Sequence, residues 1–111
     1  MKIKTQDYND VTVIELQGEF DGEYAEQFES TFNTIVKNGR VGAVIDMSNV
    51  AFIDSEGLER LLWARDYCAE NGCQLKLAVL DDNCAKILEI TRLENDFDRY
   101  SELAEAVRSF A

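Results

Sequence analysis

Four consecutive residues, Asp54, Ser55, Glu56 and Gly57, follow an apolar run and precede a helical pattern. A serine hydroxyl between two carboxylates could act as a nucleophile, accept a phosphoryl group or cap the helix. Asp54 or Ser55 could accept the backbone N–H groups that are otherwise unpaired at a helix N-terminus. Gly57 costs up to about 1 kcal/mol relative to alanine inside a helix, so we predict that another part of the backbone approaches closely there.

Catalysis at Ser55 is disfavoured because the chain contains no histidine, which is the usual base that activates a serine. The phosphate-binding pattern GxxxxGK[ST] is also missing, and the neighbouring carboxylates would repel a phosphate ligand. Asp46, Asp54 and Glu56 offer oxygen ligands to Mg²⁺ as an alternative. We predict no catalytic residue, no resident metal and no cofactor.

Three cysteines, Cys68, Cys73 and Cys84, occur without CxxC spacing. The odd number and the spacing argue against a disulfide framework and against a zinc site. We expect them to be small thiols in the core or at the surface.

Length, composition and charge indicate one domain over residues 1–111. The chain is 46% hydrophobic, which is enough for one core, and no apolar run reaches the roughly 18–20 residues of a membrane helix. We therefore expect a cytoplasmic protein without membrane insertion. The formal charge of −11 disfavours nucleic acid as a partner and favours a basic protein, although the same charge also serves solubility.

Alternating and helical patterns predict the element order β-β-α-β-α-β-α-β-α. We expect strands within 2–6, at Val11–Gly18, Val41–Met47, Gln74–Leu80 and Phe97–Tyr100. The first helix should be capped by Asp21, and the second should run from the Asp54–Gly57 segment to about Asn71. The third should follow Asp81 and Asp82, and the last should be capped by Ser101. The fold class is therefore α/β, a mixed sheet of four to five strands flanked by helices.

The second helix also carries two aromatic residues. We expect it to bury Leu58, Leu61, Leu62, the stem of Arg65 and Ala69. Trp63 and Tyr67 would then point away from the core, one turn apart, either as partner anchors or packed under a neighbouring helix or loop.

The segment "VIDMSNVAFIDSEGLERLL" resembles the signature of STAS domains, the module shared by anti-sigma factor antagonists and sulfate transporter tails. The segment "LQGEFD" (16–21) is similar to a Gly-Glu-Leu-Asp sequence in that family, and the predicted element order matches along the whole chain. The resemblance implies a STAS-like fold.

The resemblance also implies a partner switch in which Ser55 is the phosphoacceptor. The unmodified protein would bind an anti-sigma factor that is also a serine kinase, phosphorylation would release it, and a PP2C-type phosphatase would restore binding. Asp21, Asp54, Glu56 and Gly57 would shape the docking surface, with Trp63 as a further contact. The sequence leaves the oligomeric state open.

Glu56 departs from the family pattern, in which a serine or threonine follows the phosphoacceptor. A carboxylate there could hinder a kinase or mimic part of the phosphorylated charge. The alternative is therefore a phosphorylation-independent STAS scaffold, or a ligand- or nucleotide-binding accessory module of a transporter or signalling complex.

Overall fold

The computed structural model describes residues 2–20 and 22–110. Within these residues, five strands and four helices follow one another in the predicted order, with one short 3₁₀ turn. The strands are β1 (Lys2–Tyr8), β2 (Val11–Phe20), β3 (Gly42–Ile53), β4 (Gln74–Ala78) and β5 (Asp98–Tyr100). The helices are α1 (Ala25–Lys37), α2 (Ser55–Glu70), α3 (Asp82–Ile90) and α4 (Leu103–Arg108), and the 3₁₀ turn spans Gly22–Tyr24.

The sheet is mixed, as predicted, with strand order β1-β2-β3-β4-β5. β1 and β2 form an antiparallel hairpin, and every later pair is parallel. Parallel neighbours require crossovers, and each crossover here contains a helix. The carboxyl ends of β2 and β3 consequently meet the N-terminal end of α2.

Helices cover both faces of the sheet. The larger core packs α1, α2 and α3 against one face and includes three fully buried phenylalanines, Phe20, Phe28 and Phe32. The smaller core packs α4 against Val11, Val13 and Val44 on the other face. Among the described residues, no helix combines the length and apolarity needed to cross a bilayer.

β3 is longer than predicted because it continues past Met47 to Ile53. Two register shifts against β2 accommodate the extra residues, and the last paired residues are Phe20 and Ile53. Such irregularities break strict alternation, so the polar pair Ser48–Asn49 made the sequence look like a loop. The extension carries the chain directly into α2.

β4 is shorter than predicted because the backbone turns at Val79, where φ is +59°. A β-branched residue is uncommon in this left-handed region, so local sequence did not indicate the turn. The Val79 N–H still donates to the Tyr100 carbonyl at 2.9 Å.

One predicted helix cap is replaced by another residue, and a second lies outside the described residues. Ser101 does not cap α4, because Glu102 occupies the N-cap position and makes no side-chain capping bond. The predicted cap Asp21 lies outside the described residues, and α1 begins later, after the 3₁₀ turn, with Tyr24 at its N-cap.

Candidate functional site

Of the two predicted candidates, Asp54 and Ser55, it is Asp54 that caps α2. Its carboxylate accepts the Gly57 N–H at 2.7 Å. Its own N–H donates to the Phe20 carbonyl at 3.2 Å, and its carbonyl accepts the Leu58 N–H at 3.0 Å. The start of α2 is thereby attached to the end of β2.

The backbone of β2 approaches Gly57 closely, as the position of this glycine in the sequence predicted. A Cβ at this residue would overlap the Phe20 carbonyl oxygen and would lie 3.0 Å from Ile53 Cγ2. Gly57 is buried, and the obstructing atom belongs to the backbone, which cannot rotate aside. The missing side chain therefore permits α2 to start against β2.

Ser55 is the first residue of α2, and it is exposed. Within residues 2–20 and 22–110, no group forms a hydrogen bond with its hydroxyl. Because Asp54 caps the helix, the Ser55 hydroxyl is not needed as a capping group. Ser55 is thus an exposed residue at the positive end of a helix of 16 residues.

Glu56 reaches across to the turn between β2 and α1. A Cβ at Gly22 would overlap the end of the Glu56 side chain. The carboxylate therefore lies over the backbone of Gly22, beside the first turn of α2. Asp21, which we predicted as part of the docking surface, precedes this glycine and lies outside the described residues.

Phe52 is an exposed aromatic residue at the same end of the sheet, and sequence reasoning missed it as a surface residue. Its relative exposure is 49%, and its Cα is paired with that of the exposed Glu19 on β2. The apolar run "VAFI" indicated burial, whereas the register shift before Phe52 leaves its side chain in solvent. We define the helix-entrance surface as Phe52, Asp54, Ser55 and Glu56 together with Gly22.

Trp63 lies two turns from the helix-entrance surface and packs between helices. Its ring meets Phe32 of α1 edge-on, with centroids 6.3 Å apart, and stacks on Tyr67 at 4.9 Å. Arg60 and Glu29 form an ion pair across the same helix contact. Trp63 and Tyr67 are half-buried against the main core, so the structure supports the second of the two alternatives, packing under a neighbouring helix.

The buried face of α2 agrees with the predicted one in part. Leu61 is buried, and Leu58 and Leu62 pack partly buried against the main core, whereas Ala69 is exposed. The fully buried residues are small or aliphatic and are spaced three or four apart, namely Gly57, Leu61, Ala64 and Cys68. The difference arises because α1 covers a flank of α2 that a lone helix pattern assigns to solvent.

The oxygen ligands considered for Mg²⁺ do not come together. Asp46 and Asp54 are separated by the whole extension of β3, more than about 20 Å at strand spacing. Each carboxylate already accepts a backbone N–H, that of Ser48 for Asp46 and that of Gly57 for Asp54. These residues therefore cannot hold one ion together.

All three cysteines are free and buried. Burial raises the pKa of Cys84 to about 12, with the neighbouring Asp81 acting in the same direction. The Cys84 thiol donates to the Val50 carbonyl at 3.3 Å. Cys68 and Cys73 interact with each other at the C-terminal end of α2.

Comparison with known proteins agrees with this architecture. The family model of the STAS domain matches residues 2–106. A STAS-domain containing protein of Pseudomonas aeruginosa (strain UCBPP-PA14) is 31% identical over 84 residues, which cover 76% of this chain and 82% of that protein. The chain belongs to the STAS domain family.

Solved structures share the fold at low sequence identity. A candidate anti-sigma factor antagonist of Thermotoga maritima has a TM-score of 0.88 at 20% identity, covering 96% of this chain and 92% of that one. The Bacillus cell fate determinant SpoIIAA in its phosphorylated form has a TM-score of 0.76 at 18% identity, covering 99% and 100%. A sulfate transporter family protein of Wolinella succinogenes has a TM-score of 0.83 at 18% identity, covering 92% and 85%.

Proposed function

We propose that this chain is a non-catalytic, cytoplasmic partner-switching regulator of the anti-sigma factor antagonist type. In this proposal its helix-entrance surface binds an anti-sigma factor that is also a serine kinase while Ser55 is unmodified. Phosphorylation of Ser55 ends binding, a PP2C-type phosphatase restores it, and transcription responds to the balance.

The observation that carries the proposal is the exposed Ser55 hydroxyl at the start of α2. Asp54 caps the helix, so a kinase could modify Ser55 without removing a structural hydrogen bond. An exposed position at a helix N-terminus also suits the product, because a helix N-terminus favours negative charge by about 0.3–1 kcal/mol. The fold therefore tolerates the phosphate.

The phosphate would weaken the binding of a docked partner, although the fold itself tolerates it. A phosphoserine adds about −1.5 to −2 charges at neutral pH. Under a partner, that charge would lose water and would lie beside the carboxylates of Asp54 and Glu56. Each 1.4 kcal/mol lost weakens binding tenfold, so a cost of a few kcal/mol would release the complex.

The exposed Phe52 supports protein binding at this surface. Aromatic side chains at the centre of interfaces contribute disproportionately to affinity. Phe52 lies beside Glu19, and a basic side chain from a partner could pair with the carboxylate while contacting the ring. The charge of −11 on the whole chain is consistent with such a basic partner.

The test compares three baits in cells of the source organism, namely the wild type, Ser55→Ala and Ser55→Asp. Wild type and Ser55→Ala should retain a protein with a serine-kinase ATP-binding domain, and Ser55→Asp should not. The purified kinase with labelled ATP should then modify the wild type on Ser55 and leave Ser55→Ala unlabelled. Phosphopeptide mass spectrometry locates the site.

Ser101→Asp is the matched control, because Ser101 is also exposed but lies beside α4. It adds the same charge elsewhere and should retain the kinase. If all baits recover the same proteins and Ser55 carries no phosphate, the switch is refuted.

A second candidate function follows from Glu56. Its carboxylate lies over Gly22 next to Ser55, so the surface is anionic without modification. A phosphorylation-independent scaffold, or an accessory module like the STAS domains of sulfate transporters, would use such a fixed surface. In that case Glu56→Ser should weaken partner binding and leave Ser55 unmodified, whereas the switch predicts that Glu56→Ser increases phosphorylation.

A further inference from the structure

We propose that Cys68 and Cys73 form a redox modification site, in which a hydroperoxide converts the two free thiols into a reversible intramolecular disulfide. The site lies at the C-terminal end of α2, the end opposite to Ser55, and does not depend on the proposed switch.

The backbone places the two residues within bridging distance. The Cys73 N–H donates to the Cys68 carbonyl at 2.8 Å, and Gly72 between them adopts φ +75°. This is the six-to-one hydrogen bond that closes a helix with a left-handed glycine. With standard bond lengths it keeps the two Cα atoms within about 7 Å, the limit for a disulfide without backbone movement.

The side chains also face each other. A helix end of this type commonly brings the side chains at these two positions into contact on the core side. Cys68 and Cys73 are both buried in the main core, and the interaction between their thiols shifts the pKa of each. A bond between the sulfurs would therefore link two thiols that are already neighbours.

Access distinguishes the two sulfurs. Cys73 lines an open cavity of about 220 Å³, together with the half-buried Arg65 and the exposed Asp96 and Asp98. Cys68 does not line this cavity and is fully buried, whereas Cys73 is 4% exposed. A small oxidant can therefore reach Cys73 first. Arg65 forms ion pairs with Asp66 and Asp96, so the access of Cys73, rather than a free cation, sets the order.

The acidities of the thiols support the same order. The hydrogen bond from Cys68 lowers the pKa of Cys73, against the opposing effect of burial. The same interaction, together with burial, raises the pKa of Cys68. Because the thiolate is the nucleophile, Cys73 is the residue that attacks and Cys68 is the residue that resolves.

The chemistry balances with one peroxide. The Cys73 thiolate attacks one oxygen of hydrogen peroxide, the O–O bond breaks, and the sulfur becomes a sulfenic acid while the departing hydroxide takes up a proton as water. Cys68 then attacks the sulfenic sulfur as its own proton leaves. The S–O bond breaks, the S–S bond forms and a second water is released.

Cys84 provides an internal control. It is fully buried, donates to the Val50 carbonyl and does not line the cavity that Cys73 lines. It should therefore stay reduced under conditions that oxidise the pair.

The experiment treats the reduced, purified full chain with hydrogen peroxide and counts the remaining thiols. The wild type should fall from three thiols to one, and dithiothreitol should restore all three. Peptide mapping without reduction should show Cys68 linked to Cys73 in one chain. Cys84→Ser should form the same bond, whereas Cys68→Ser should accumulate a sulfenic acid on Cys73 that dimedone traps.

Several results would overturn the proposal. These are three thiols surviving peroxide, a cross-link that includes Cys84, or a link that joins two chains. Cys73→Ser tests the order, because Cys68 alone should oxidise at least about tenfold more slowly than Cys73 alone. The mapped bond in the wild type decides the matter even if a serine variant folds poorly.

Discussion

At the scale of single residues, the contact between Gly57 and the Phe20 carbonyl sets where α2 begins. The glycine was recognisable from its cost in a helix, but its partner was not, because Phe20 is 37 positions away in the chain. Ser55 gains its exposure from this arrangement. The site therefore depends on Gly57, which lacks a side chain, as much as on the exposed Ser55.

Gly57→Ala should lower the free energy of unfolding by about 2 kcal/mol, although alanine is the better helix former. The new methyl group would overlap a backbone oxygen that cannot move without shifting β2 against α2. Urea unfolding followed by circular dichroism measures the loss. Glu59→Ala, at an exposed position of the same helix, should change stability by less than about 0.5 kcal/mol.

Cys84 should make stability depend on pH in the alkaline range. In the unfolded chain a thiol loses its proton near pH 8.5, whereas burial raises the pKa of folded Cys84 to about 12. The stabilising contribution is therefore complete below about pH 8.5 and is lost as the pH rises toward 12, by at most about 1.4 kcal/mol per pH unit.

Urea unfolding of the wild type and of Cys84→Ser at pH 8, 9 and 10 isolates this contribution. The wild type should lose stability faster than the serine variant over this range. Parallel curves for the two proteins would show that Cys84 ionises alike in the folded and unfolded states.

At the scale of elements, α2 and α3 begin with the same device. Asp54 accepts the Gly57 N–H at 2.7 Å, and Asp81 accepts the Cys84 N–H at 2.8 Å. Both caps follow a parallel strand, where the chain turns from sheet to helix. Only Asp54 lies in the helix-entrance surface. Comparing substitutions of Asp54 and Asp81 therefore distinguishes an effect on partner binding from an effect on stability.

Asp54→Ala and Asp81→Ala should each lower the free energy of unfolding by about 1 kcal/mol, because each leaves a helix N–H without its acceptor. Thermal and urea unfolding of the two variants measures this. If Asp54 also serves the docking surface, only Asp54→Ala should change the affinity for the kinase recovered with the wild-type bait. Equal affinities would assign Asp54 to the fold alone.

The contact between α1 and α2 depends on the aromatic stack of Phe32, Trp63 and Tyr67. Trp63→Ala should lower stability by about 2 kcal/mol, since it removes an edge-on and a stacked ring contact, whereas Trp63→Phe should cost less than about 1 kcal/mol. Chemical unfolding measures both. A loss below about 0.5 kcal/mol in Trp63→Ala would mean that the tryptophan is free to serve a partner instead.

At the scale of the whole molecule, the charge of −11 acts on every element at once. Carboxylates repel one another more in the compact state than in the unfolded chain. Raising NaCl from 0.05 to 0.5 M at pH 7 should screen this repulsion and increase the free energy of unfolding by about 1 kcal/mol. The gain should shrink near pH 4.3, the isoelectric point, and a salt effect of equal size there would contradict the electrostatic origin.

The amino-acid sequence alone determined the order of elements, the α/β class and the position of the helix entrance. The signals for these features are hydrophobic periods of about 2 and 3.6 residues, capping aspartates and Asn-Gly pairs at helix ends. Each involves only a few neighbouring residues, so it can be recognised from the sequence. The signature around Ser55 is likewise contiguous, and it indicated the family before any contact was known.

Only the tertiary structure decided which side chains reach solvent and which meet across the chain. The register shifts that expose Phe52 and the covering of Trp63 by α1 depend on neighbours that local pattern does not specify. A one-residue shift between strands reverses the face that a side chain occupies, and the energy that selects the shift comes from the packed core as a whole.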